Sequence, residues 1–167
     1  MQWLRAVNRV ANRGFEKALI IGFIAMTAII FLQVIFRYFL LQSLSWSEEV
    51  ARYLFVWLTF LGASVVARSR SHIMVESIVK AVKNGRLRKI LQTAANLLTL
   101  AFLAVLIAEG SSASLEILEL GQLSPSLPWF PLGIVYFAIP LGSFFMALNI
   151  IEQTWDIWGN DYLQGGR

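Results

Sequence analysis

Four long apolar runs, at residues 18–36, 50–67, 90–108 and 132–151, occupy nearly half of this 167-residue chain. Each is long enough to cross a bilayer as a helix, which takes about 20 residues at 1.5 Å per residue. The stretches between them are too short to build soluble cores, which need more than about 40 residues. A hydrophobic fraction of 57%, only 14% charged residues and a mean hydropathy of +0.66 agree. The expected fold is all-α: one integral membrane domain over residues 1–167, with four transmembrane helices and amphipathic helices on the cytoplasmic interface near residues 2–15 and 72–83.

Composition removes several function classes. The chain has no cysteine and a single histidine, which excludes thiol redox chemistry, thiolate metal sites and a bis-histidine haem held by this chain alone. No Gly-x-x-x-x-Gly-Lys-Ser/Thr loop is present to cradle a nucleotide phosphate. The middle third of each span carries no acid or base that could relay protons or bind sodium, and no inverted repeat is evident. The first span also lacks the buried carboxylate on which small four-helix exporters depend. No enzyme activity, cofactor or metal is expected of this chain, and a subunit of a larger assembly fits better than a self-sufficient pump.

A pI near 9.8 could suggest nucleic acid, but the bases flank the apolar runs. Four precede the first run (Arg5, Arg9, Arg13, Lys17) and seven lie between the second and third (Arg68, Arg70, Lys80, Lys83, Arg86, Arg88, Lys89). Arg37 alone falls between the first and second, Arg167 is in the tail and Arg52 is just inside the second run. This asymmetry places both termini in the cytoplasm and the first and third loops outside, the third carrying Glu109, Glu116 and Glu119 and no base. No nucleic-acid partner is expected. The basic start is not a cleaved secretory signal, since Gln33-Val34-Ile35-Phe36-Arg37 offers no small-residue site. Arg5, Arg9 and Arg13 share one helical face and Trp3, Val7 and Val10 another, as in a helix lying among headgroups; a disordered basic tail is the alternative. Residues 72–83 read the same way: His72, Glu76, Lys80 and Lys83 form a polar stripe opposite Met74, Val75, Ile78, Val79 and Val82. That helix is too short to cross a bilayer, and its bases suit anionic membrane lipids.

Two outward segments hold candidate functional residues. Between the first two spans run Trp46-Ser47-Glu48-Glu49-Val50-Ala51-Arg52, with Arg37 at the end of span one. If Ser45 or Ser47 caps the second helix, Glu48 and Glu49 fall in its first turn, where the helix dipole favours acids. Arg52 is then within reach of either acid, three or four residues away. Arg37, Glu48, Glu49 and Arg52 can form an interfacial salt-bridge clasp with Trp46 as a belt residue, or bind a partner protein; the two roles are compatible. The third loop carries Pro125, Pro128 and Pro131 around Trp129 and Phe130. Prolines at every third position predict a stiff extended segment, with Pro128 and Trp129 as an interfacial anchor or a docking surface. The polar residues inside the spans, Thr27, Gln33, Thr59, Ser64, Gln92, Asn96, Thr99, Ser143 and Asn149, are expected to hydrogen-bond between helices. Gly62-Ala63-Ser64 permits close helix approach, and Pro140 should kink the fourth span.

The chain resembles the small membrane subunit of tripartite ATP-independent periplasmic (TRAP) transporters, the DctQ type. The resemblance rests on Trp46-Ser47-Glu48-Glu49-Val50-Ala51-Arg52 continuing into Phe55-Val56-Trp57-Leu58-Thr59-Phe60-Leu61-Gly62-Ala63, on Arg70-Ser71-His72-Ile73, and on Pro128-Trp129 followed by Gly133, Tyr136 and Pro140. It implies a multi-pass protein of the bacterial inner membrane working with a periplasmic substrate-binding protein and a large subunit, here expected as a separate chain. It also implies that the large subunit binds sodium and organic acid and moves as an elevator. This chain would then be a scaffold beside it, with Arg37, Trp46, Glu48, Glu49 and Arg52 near the docking face for the binding protein. The alternatives are an anchor or redox subunit of another complex, or an independent small exporter.

Overall fold

The computed structural model describes residues 2–42, 44–68 and 85–158. Among them, four helices are long and apolar enough to cross a membrane, and there is no strand. The order is α1 (Gln2–Phe39), α2 (Ser45–Arg68), α3 (Gly85–Glu119), a short α4 (Gly133–Tyr136) and α5 (Ala138–Trp158). The first three apolar runs fall within α1, α2 and α3, and the fourth is shared between α4 and α5. The surface helix expected over residues 72–83, with His72, Glu76 and Lys80, lies outside the described residues. Residues 2–15 are helical but continue into the first span without a break, so they form no separate element.

α1 and α3 are longer than the hydrocarbon layer. With 38 and 35 residues they extend roughly 57 and 52 Å, against about 30 Å of hydrocarbon. Glu109, Glu116 and Glu119, expected in the third loop, therefore sit on α3. Hydropathy falls at the first acid, but Leu115-Glu116-Ile117-Leu118-Glu119 beyond it still favours helix. Gly121 ends α3 at φ 62°: its N–H bonds to Leu118 O and that of Gln122 to Ile117 O, both at 3.1 Å. This pairing satisfies the last carbonyls and needs a residue tolerant of the left-handed region.

The helices form a row and not a closed bundle. α1 packs along α2, α2 along α5 and α5 along α3, while α3 touches neither α1 nor α2 among the described residues. The two inner helices meet backbone to backbone: a Cβ on Gly142 would lie 2.7 Å from both Cβ and O of Phe60. The fourth span is interrupted at Phe137, between α4 and α5. Pro140 explains this, because it has no N–H to offer the carbonyl of Tyr136 four residues back and its ring crowds that position.

One end of the row is locked by buried amides. Asn8 Nδ2 on α1 donates to Asn149 Oδ1 on α5 at 2.8 Å and to Glu152 Oε2 at 3.0 Å. Asn12 Nδ2 donates to Asn8 O at 2.7 Å and Asn149 Oδ1 at 3.3 Å, and Asn149 Nδ2 donates to Ser64 O on α2 at 2.9 Å. Nearby, Gln153 Nε2 donates to Ala67 O, and Phe15 meets Phe145 edge-on at 4.8 Å. Asn8, Asn12, Ser64 and Asn149 are all buried. α1 thereby reaches across to α5, joining three helices at one level. Ser64 and Asn149 do bond between helices, as does Asn96, whose Nδ2 donates to Thr154 Oγ1 at 2.8 Å, whereas Thr27, Thr59 and Thr99 donate back to carbonyls of their own helices.

Candidate functional site

The opposite end of the row carries residues 40–42 and 44 and the loop at residues 120–132, and here the structure gathers most of the predicted residues. α2 begins at Ser45, and Ser47 is its third residue and not its cap. The Ser47 hydroxyl, wholly buried, donates backwards to Leu44 O at 2.7 Å. This leaves Glu48, Glu49 and Arg52 on the first two turns.

The two acids take different partners. Glu48 Oε1 meets Arg52 Nη2 at 3.3 Å, with both side chains about two-thirds exposed (65% and 67%). Glu49 Oε2 instead accepts from Ser124 Oγ at 2.7 Å and from the Ser126 N–H at 2.9 Å. Arg37 is exposed and has no ion-pair partner among the described residues. The expected four-residue clasp is therefore a single helical pair, Glu48–Arg52, plus a separate carboxylate clamp from Glu49 to the 120–132 loop. Spacing alone permitted Arg52 either acid; the fold decides it, because Glu49 faces the loop and Glu48 faces away.

The clamped loop is folded back on itself, not extended. Ser124 N bonds to Phe130 O at 2.9 Å, Leu132 N to Gln122 O at 3.0 Å, and Leu123 and Pro131 form an isolated antiparallel bridge. Inside it, Phe130 N bonds to Leu127 O at 2.9 Å, while Leu127 N bonds to Ser124 Oγ at 3.2 Å. Each proline falls where no backbone donor is needed, so the threefold spacing serves turns here and not a polyproline helix. Phe130 stacks on Tyr53 of α2, centroids 5.7 Å apart and planes at 19°, and Trp129 stands edge-on to Phe130 at 5.9 Å. Pro128 and Trp129 are exposed, Trp129 by 75%. Trp46 is also partly exposed, at 40%.

Sequence reasoning missed Ser124 and Ser126 as partners of Glu49. The available signal was a pair of serines around Pro125, since hydroxyls and free amides beside a proline turn readily receive a carboxylate. Below the clamp, between α2 and the α4–α5 segment, lies a groove of about 470 Å³. Glu49, Arg52 and Tyr53 lie on the α2 side of its mouth; Val56, Phe60, Val135 and Ile139 line its depth. Among the described residues, no cluster of three or more His, Cys, Asp or Glu could hold a metal ion.

Residues 26–160 match the family described as tripartite ATP-independent periplasmic transporters, DctQ component. A TRAP transporter small permease protein of Haemophilus influenzae is 29% identical over 90% of this chain and 91% of its own length. The C4-dicarboxylate TRAP transporter small permease protein DctQ of Vibrio cholerae is 26% identical over 93% of this chain and 75% of its own. The isethionate TRAP transporter permease protein DctMQ of Oleidesulfovibrio alaskensis is 28% identical over 85% of this chain, which spans only 23% of that longer relative.

Proposed function

Because the chain belongs to the DctQ component family of TRAP transporters, we propose that it is a fixed scaffold beside a large membrane subunit, serving uptake of an organic acid across the bacterial inner membrane. The observation that carries this reading is the open row of helices. A closed bundle buries its inner faces, whereas this row leaves the outer sides of α1 and α3 broadly apolar, with Ile24, Phe31, Leu98 and Phe102 all exposed. One such face suits a neighbouring membrane protein and the other lipid.

Both termini are cytoplasmic in this account, so the clamped loop, Trp129 and the Glu48–Arg52 pair face outward, where a substrate-binding protein docks. Arg37, Trp46, Glu48, Glu49 and Arg52 stand at or beside that face. Sodium and substrate bind the large subunit, which moves against the row; this chain holds no ion. The relatives' names span dicarboxylate and isethionate cargoes, and selectivity lies with the partners.

Reconstitution tests the reading. Liposomes holding this chain alone should take up no organic acid even with the binding protein and a sodium gradient, and adding the large subunit should restore uptake. Uptake by this chain alone would overturn it and favour a small exporter.

A further inference from the structure

We propose that the groove between α2 and the α4–α5 segment is a binding site for one phospholipid with a primary-ammonium headgroup. Its phosphate lies against Arg52 and one acyl chain runs down toward Phe60. The backbone contact between Phe60 and Gly142 closes the deep end, and the Glu49 clamp with the Tyr53–Phe130 stack forms the rim. Between them the groove measures about 470 Å³, within the roughly 300–1,000 Å³ of small-molecule sites. From Arg52 to Phe60 is roughly 12 Å along the helix, close to the about 15 Å depth of one hydrocarbon leaflet.

The chemistry changes along that depth as a phospholipid's does. Val56, Phe60, Val135 and Ile139 present only apolar groups, which suit an acyl chain and offer nothing to a free phosphate ion. At the mouth, Arg52 spends one of five guanidinium donors on Glu48, leaving others for a phosphate oxygen. Glu49 and Arg52 give the mouth one charge of each sign, which complements a zwitterionic ammonium–phosphate headgroup better than a net-anionic one. The lipid would fill the space beside the kink and stiffen the outer half of the α2–α5 pair. This site does not depend on the transport role.

The test is native mass spectrometry of the protein, with whatever accompanies it, extracted in mild detergent and titrated with phosphatidylethanolamine or phosphatidylglycerol. The wild type should retain one phosphatidylethanolamine per chain in preference to phosphatidylglycerol. Val56→Trp, which fills the groove, should lower retention roughly tenfold, and Arg52→Gln at an exposed position by about threefold. Equal retention by wild type and Arg52→Gln would overturn the proposal even if Val56→Trp failed to fold. So would a preference for phosphatidylglycerol, or a photo-crosslinker at Val56 that captures a partner protein in place of lipid.

Discussion

Glu49 Oε2 and Ser124 Oγ, 75 positions apart in the chain, meet at 2.7 Å and tie the start of α2 to the loop between α3 and α4. The same oxygen receives the Ser126 N–H, so one carboxylate fixes a turn that contributes no regular secondary structure of its own. Packing of Phe130 on Tyr53 adds a second attachment one helical turn along.

Glu49→Ala should therefore loosen the loop without unfolding the helices. Hydrogen exchange should quicken at the Ser126 and Leu127 amides and stay slow in α5. Unchanged exchange at both amides would mean the loop holds itself and the clamp is incidental.

Asn149 is the hub of the amide network, accepting from Asn8 and Asn12 and donating to Ser64. Asn149→Leu removes these three bonds while Asn8 keeps Glu152 and Asn12 keeps the Asn8 carbonyl, and the depleted network should cost about 1–3 kcal/mol. Reversible unfolding in mixed detergent micelles should show a loss in that range. Combining Asn12→Ala with Asn149→Ala should cost less than the sum of the two, because both delete the same network.

Gly142 and Gly14 make a contrasting pair. A methyl on Gly142 meets Phe60 backbone and should cost about 1–3 kcal/mol by forcing α2 from α5. A methyl on Gly14 meets nothing within 4 Å, and Gly14→Ala should stabilise α1 by up to about 1 kcal/mol. The same unfolding assay reads both.

The exposed Glu48–Arg52 pair is a poor source of stability. Glu48→Gln should shift unfolding by less than about 0.5 kcal/mol. Any fall in uptake by that variant then reports contact with a partner, and the preferred substrate should stay the same. A changed substrate preference would contradict a scaffold role.

The spans were legible because the bilayer demands long apolar helices, and the break in the last span followed from Pro140. The site was legible in its residues but not in its pairing. Glu48 and Glu49 differ by about 100° around α2, and nothing in their spacing says which one the 120–132 loop will approach. The prolines of that loop misled because threefold spacing fits either an extended segment or successive turns; the closing bonds from Ser124 and Leu132 decide it. Asn8 and Asn12, four apart in a basic stretch, carried a readable sign of a shared polar face, but Asn149, their partner, lies 137 residues beyond Asn12. The acids of α3 were placed in a loop because charge ends a hydropathy run sooner than it ends a helix.

The most direct test of the central claim is to purify this chain from its native membranes in mild detergent and identify what accompanies it by mass spectrometry. A scaffold subunit should bring down a much larger polytopic protein in near-equal amount, and crosslinks should map to the exposed apolar face of α1 or α3. Recovery of the chain alone, with no stoichiometric membrane partner, would contradict the account.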